Sequence, residues 1–117
     1  MKDFRKLKIW EKAHLLTLKI YKLTEQFPRE ELYGLTSQIR RACVSIPTNI
    51  AEGCVRSSDA DFSRFLYIAL GSTSELEYLI LLSMDLMYIK NELYIELNSD
   101  INEIKKMLIS MIQKLKS

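Results

Sequence analysis

Residues 38–56 read QIRRACVSIPTNIAEGCVR, and the way this stretch folds decides how the rest of the chain can pack. Ile39, Ala42, Cys43, Ile46, Ile50 and Cys54 return every three or four residues, the apolar stripe of a helix. A second file runs along its flank: Gln38, Arg41, Ser45, Asn49 and Glu52, spaced 3, 4, 4 and 3. Pro47 stands in the middle of the stretch. A proline there removes one backbone hydrogen bond and is expected to kink the helix by the carbonyl of Cys43. An ordinary surface helix has one apolar and one wet face; this one has a third face to account for.

Three more periodic segments flank it. Upstream, Ile9, Ala13, Leu16, Ile20, Leu23 and Phe27 recur at helical spacing until Pro28 ends the run. The central helix is then expected from Thr36, its N-cap, to about Arg56. Downstream, Ser58 and Asp61 have capping-box spacing, with aspartate in place of the usual Glu or Gln. That third segment turns Phe62, Phe65, Leu66, Ala69, Leu76, Leu79 and Ile80 inward. The fourth follows a short turn at Lys90-Asn91 and repeats Tyr94, Leu97, Ile101, Ile104, Leu108, Met111 and Leu115 in 3-4 alternation. With only three glycines and two prolines, the elements must be few and long. Short connections make neighbouring helices antiparallel. The expected fold is all-α: one up-down-up-down four-helix bundle domain over residues 1–117, its second helix kinked at Pro47. Gly53 and Gly71 weaken their helices by about 1 kcal/mol each relative to alanine, and close helix approach is the expected compensation.

Composition narrows the class. A hydrophobic fraction of 48% with 27% charged residues is that of a folded, soluble chain. Lys8, Lys12, Lys19 and Lys22 interrupt any apolar run at the N-terminus, so no signal peptide is expected. The oiliest run, 78–89, holds Asp85 and is too short to span a bilayer. A cytoplasmic protein without a membrane partner is the expectation. Cys43 and Cys54 would lie roughly 16 Å apart on one helix, beyond disulfide reach, and read as buried small hydrophobes.

The polar file invites a catalytic reading, but the chemistry does not assemble. No histidine stands near Ser45 to serve as its base. His14, beside Trp10, reads as a packing or surface residue. A helical ribonuclease using Arg-x4-His would need arginine where Ile9 stands. Glu52 and Glu75 lack the Glu-x-x-His partners of di-metal bundles, and no glycine-rich phosphate loop is present. No catalytic, cofactor-binding or metal-ligating residue is assigned, and no cofactor is expected.

A structural role explains more. A buried arginine or glutamate is tolerated only when paired. Gln38, Arg41, Ser45, Asn49 and Glu52 are therefore expected to form a polar seam with Ser72 and Glu75 of the third helix, or with another chain. Val44, Pro47, Ala51 and Val55 are expected to project away from the core stripe as a small apolar row, a candidate subunit contact. Homo-oligomerisation is the expectation.

The net charge of +2 hides a strong asymmetry. Residues 1–41 carry +5, residues 42–104 carry −7, and residues 105–117 carry four lysines and no acid. Both termini of such a bundle lie at one end. Lys2, Arg5, Lys6, Lys8 and Lys12 should therefore approach Lys105, Lys106, Lys114 and Lys116 in a basic pole. Such a pole is a footprint for RNA or DNA phosphates or for an acidic partner protein. No DNA-reading motif accompanies it.

The runs ELYGLTSQIRRACVSIPTNIAEG and FSRFLYIALGSTSELEYL, with the opening FRKLKIWEKA, closely resemble the four-helix bundle family that includes proteins encoded in intervening sequences of bacterial 23S ribosomal RNA genes. The resemblance covers essentially the whole chain. It rests most on Gln38, Arg41, Ser45, Pro47, Asn49, Glu52 and Gly53 together with Ala69, Gly71, Ser72 and Glu75. It implies an up-down bundle assembled as a homopentamer. A related branch, the accessory protein of diversity-generating retroelements, is a basic pentamer that binds its reverse transcriptase and nucleic acid; the weak net charge here departs from that basicity. The function expected is non-enzymatic: an oligomeric bundle that binds structured RNA through its basic pole, or else a protein-binding adaptor such as a reverse-transcriptase accessory subunit.

Overall fold

The computed structural model describes residues 2–116. Four α-helices follow one another: α1 (Lys8–Thr24), α2 (Leu35–Cys54), α3 (Asp59–Asp85) and α4 (Asn91–Lys116), with short 3-10 turns at Phe4–Lys6 and Arg29–Glu31. Cross-helix contacts establish the directions. Arg40 reaches Thr24 while Cys43 reaches Thr17. Ser45 meets Ser72, and Gly53 abuts Phe62. Lys19 meets Asp100 while Lys12 meets Glu103. Each neighbouring pair is antiparallel, and α1 closes against α4, which completes the expected all-α four-helix bundle. The long dimension of 43 Å is set by the longest helices, because 27 residues at about 1.5 Å rise span roughly 40 Å.

The apolar stripes expected from the sequence meet in one core. Ile20, Ile39, Ile46, Ile50, Leu66, Leu76, Ile80, Leu97, Ile101, Ile104 and Leu108 are wholly buried. Three hydroxyls on the core faces are satisfied by their own helices: Thr24 donates to the carbonyl of Ile20, Thr73 to Ala69 and Ser83 to Leu79. Among the described residues no buried side-chain polar atom lacks a partner. Cys43 and Cys54 are buried free thiols. Burial pushes the Cys43 thiol from its ordinary 9.0 up to about 11, with the Thr17 hydroxyl opposing the shift.

Several boundaries and faces differ from expectation. The second helix starts one residue before Thr36, at Leu35. Its opening amide donates to the Glu31 carboxylate at 3.1 Å, so an acid four residues upstream does the capping. Thr36 is buried inside the first turn. Pro47 does not project outward. It is buried, because 43, 47, 50 and 54 themselves form a 4-3-4 stripe on the core face, and α2 continues as one helix across it. Ser58 caps α3 as expected, accepting from the amide of Asp61 at 3.1 Å.

The two helical glycines part company. A Cβ on Gly53 would lie 2.7 Å from the Phe62 ring and 3.1 Å from Phe65, so α2 and α3 do approach closely there. Gly71 faces open space and permits no close approach. Finally, the run 78–89 belongs to a longer unit than its own length suggests. By length and composition α3 could cross a membrane, with mean hydropathy 1.3 over its most apolar 18-residue window, as core helices of soluble bundles also can.

Candidate functional site

The polar file of α2 lies on the outside of the bundle. Arg41, Gln38 and Glu52 are exposed, as is Glu75 on α3. None of them makes an ion pair or a side-chain hydrogen bond among the described residues. Within one chain, the expected seam therefore closes only at its middle. The Ser45 and Ser72 hydroxyls lie 2.8 Å apart, and the Asn49 amide donates to the Ser45 hydroxyl at 3.0 Å and to the Ser45 carbonyl at 2.8 Å. This network engages the Ser45 hydroxyl without any general base. His14 stacks on Trp10 at 4.9 Å instead, on α1.

A shallow groove of about 830 Å³ opens over this face. Arg41, Val44, Ser45 and Asn49 line it together with Tyr21, Leu32, Tyr33 and Arg40, which spacing alone does not single out. Tyr33 is 93% exposed and Val44 37%. Arg40 is held in place by Thr24 and the carbonyl of Tyr21, with its guanidinium 4.7 Å from the Tyr21 ring centroid. Val55, further along α2, is 59% exposed, and Ala51 is half-buried. Of the four residues expected at a subunit contact, Val44 and Val55 face outward, Ala51 lies at the edge, and Pro47 is in the core.

The cations gather elsewhere. The N-terminal segment docks on the end of α2, where the Lys2 amide donates to the Cys54 carbonyl at 2.8 Å. Lys2, Arg5, Lys6 and Lys8 thus come to the end of the bundle where α4 finishes with Lys114 and Lys116. Lys8, Lys106 and Lys114 line one groove between α1 and α4. Two expected members do not belong to this pole. Lys12 pairs with Glu103 at 3.0 Å, and Lys105 pairs with Glu77 across α3 and α4. Both are taken up by carboxylates of a neighbouring helix, Lys12 of α1 by α4 and Lys105 of α4 by α3.

Two arginines that the charge blocks of the sequence do not reveal join the pole. Arg56 and Arg64 hold their guanidinium groups 4.4 and 5.8 Å from the Phe65 ring centroid, at the α2–α3 turn. Averaging charge over the acidic block 42–104 conceals them, although the topology puts that turn at the same end as both termini. Asp3, Asp59 and Asp61 are the acids in the same turns; Asp3 approaches Arg5 at 3.8 Å and Asp61 approaches Arg64 at 3.5 Å. Among the described residues no group of three or more His, Cys, Asp or Glu is arranged to hold a metal ion.

Comparison with known proteins agrees with this architecture. Residues 5–110 match the family model described as 23S rRNA-intervening sequence protein. Among solved structures, the crystal structure of a protein of unknown function from the S23 ribosomal protein family of Bacteroides thetaiotaomicron is similar with a TM-score of 0.83 and 35% identity. The similarity covers 90% of this chain and 95% of that one. Comparison with curated proteins returns no match. With the family model spanning nearly all of the bundle and the solved relative superposing along its length, the chain belongs to the 23S rRNA-intervening sequence protein family.

Proposed function

We propose that the chain is a cytoplasmic, non-enzymatic, self-associating bundle that binds structured nucleic acid, RNA foremost, through its basic end. The observation that carries this reading is the gathering of Lys2, Arg5, Lys6, Lys8, Arg56, Arg64, Lys106, Lys114 and Lys116 at one end of a chain whose net charge is only +2. Phosphates are recognised by such clusters without any need for base contacts. Self-association is supported by the outer face of α2. Val44 and Val55 are exposed there beside Arg41 and Glu52, charges that have no ion-pair partner among the described residues. Assembly as a pentamer, which the family resemblance implies, would multiply the basic end severalfold.

The reading is tested by fluorescence anisotropy with a labelled RNA hairpin. Binding at low salt should weaken steeply between about 50 and 200 mM, by about two orders of magnitude or more for several phosphate contacts. No binding at the lower salt, or binding indifferent to salt, would reject it. A second reading, a protein-binding adaptor such as a reverse-transcriptase accessory subunit, is favoured by the groove over α2. Leu32, Tyr33 and Val44 offer it apolar anchors of the kind protein interfaces use. Such binding should change little with salt.

A further inference from the structure

The groove between α1 and α4 shows a charge pattern that stops making sense within one chain. These helices are the most thinly packed neighbours in the bundle, and a ladder of ion pairs bridges their upper part. Lys19 meets Glu96 at 3.1 Å and Asp100 at 2.8 Å, and Lys12 meets Glu103 at 3.0 Å. The Asp100 hydrogen bond, ahead of the others, raises the Lys19 pKa against a modest desolvation. Seven residues separate the two lysines of α1, and their acids step down α4 in the opposite sense.

Continued in register, the ladder next brings Lys8 opposite α4 residues 106–111. There α4 supplies Lys106 and, a further two turns on, Lys114. The rung is kept and its sign is reversed. Lys8 and Lys106 make no ion pair among the described residues. Between them lies a cavity of about 330 Å³ with Ile9, Met107 and Met111 on its walls, Ser110 at its rim and no carboxylate in its lining.

We propose that this groove docks an acidic amphipathic helix of a partner protein. The partner would set two or three apolar residues on Met107 and Met111 and place carboxylates against Lys8 and Lys106, with Lys114 at the far end. Charge complementarity commits the choice: Lys8 and Lys106 line the groove and no carboxylate does, so an acidic partner suits it. The apolar walls favour a helix over a phosphate backbone, which has no hydrocarbon to bury there. Methionines suit such a surface, since their flexible thioethers repack around different side chains. Helix-in-groove recognition uses anchors at i, i+3 or i+4 and i+7. The eight steps from Lys106 to Lys114 span about 12 Å along α4, room for those anchors. The proposal does not rest on the nucleic-acid reading: it takes Lys8 and Lys106 from the basic end and leaves Lys2, Arg5, Lys6, Arg56, Arg64 and Lys116 to phosphate.

The probe is a fluorescein-labelled peptide of about 14 residues, four helical turns, with leucines at i, i+4 and i+7 flanked by glutamates. Its control is the same composition with the leucines scattered. Titrated with the full-length protein, the amphipathic peptide should bind about tenfold or more tightly than the scrambled one, a difference of about 1.4 kcal/mol. Lys8→Glu with Lys106→Glu should weaken it by about tenfold or more, and a peptide with lysines in place of glutamates should then bind that variant. Ser110→Glu, on the exposed rim, should block binding while circular dichroism shows the same helix content and melting transition as the parent. Equal binding of both peptides, or a charge-reversed protein that binds unchanged, overturns the proposal. So does an RNA hairpin that displaces the peptide and itself loses binding on Ser110→Glu, because the groove would then belong to nucleic acid.

Discussion

Gly53 and Gly71 look alike on paper: each interrupts a helix, and each invites the inference that two backbones come close. Only Gly53 needs to be glycine, because a methyl group there would collide with Phe62. Gly53→Ala should destabilise the fold by about 1–3 kcal/mol through overpacking. Gly71→Ala adds its methyl group to open space on an exposed helix position and should stabilise by about 1 kcal/mol. Urea unfolding of both variants checks the pair; a shared sign would contradict the structure. Cys43 makes a second prediction at this scale. Its thiol titrates near 9.0 when unfolded and near 11 in the fold. The folded state therefore disfavours the thiolate, and stability that is fully present below about pH 9 should decline as pH rises towards about 11. Unfolding midpoints measured across that window check it, with Cys43→Ser as the control that should flatten the decline. Single residues are the least legible part of the sequence. Spacing marks Pro47 as core through the 43-47-50-54 stripe, yet its usual role as a helix breaker argues for an outward position. Nothing in the residue type distinguishes a glycine against a phenyl ring from one facing solvent.

At the scale of elements the sequence is far more readable. Four apolar stripes at helical spacing become four helices, and each stripe becomes the core face, since burial of that face is what stabilises an amphipathic helix. Where an end differs from expectation, the cause is a partner outside the local pattern. The Glu31 carboxylate caps Leu35, and the same residue accepts from the Tyr88 hydroxyl at 3.0 Å, so a turn before α2 is tied to the turn before α4. The polar file is also visible, but its burial is not, because that depends on how far α3 leans over α2. Only Ser45, Asn49 and Ser72 are covered. The α1–α4 ladder belongs to this scale too. Its pairs are surface-exposed and cost side-chain freedom, so Lys19→Ala should change stability by less than about 1 kcal/mol. A thermal melt at low and high salt checks this; a larger loss that salt abolishes would show the ladder to be the main tie between those helices.

The whole molecule is nearly neutral and strongly polarised, and its net charge is the least informative number about it. Both termini and the α2–α3 turn meet at one end, so cations scattered through the sequence become neighbours. Block averages point to that end and still miss Arg56 and Arg64, because topology, not sequence distance, decides which charges meet. The self-association proposed for the α2 face is tested by light scattering. The parent should have a mass of several 13.7 kDa chains, and Val44→Glu with Val55→Glu should reduce it to one, with helix content retained. A monomeric parent would contradict that part of the account. Whether the basic end reads phosphate is decided by comparing RNA-hairpin affinity against salt for the parent and for Lys6→Glu with Lys116→Glu. The variant should bind more weakly at every salt concentration, with a log-log slope shallower by about one for each phosphate that it no longer neutralises. Superimposable curves for the two proteins would contradict that reading.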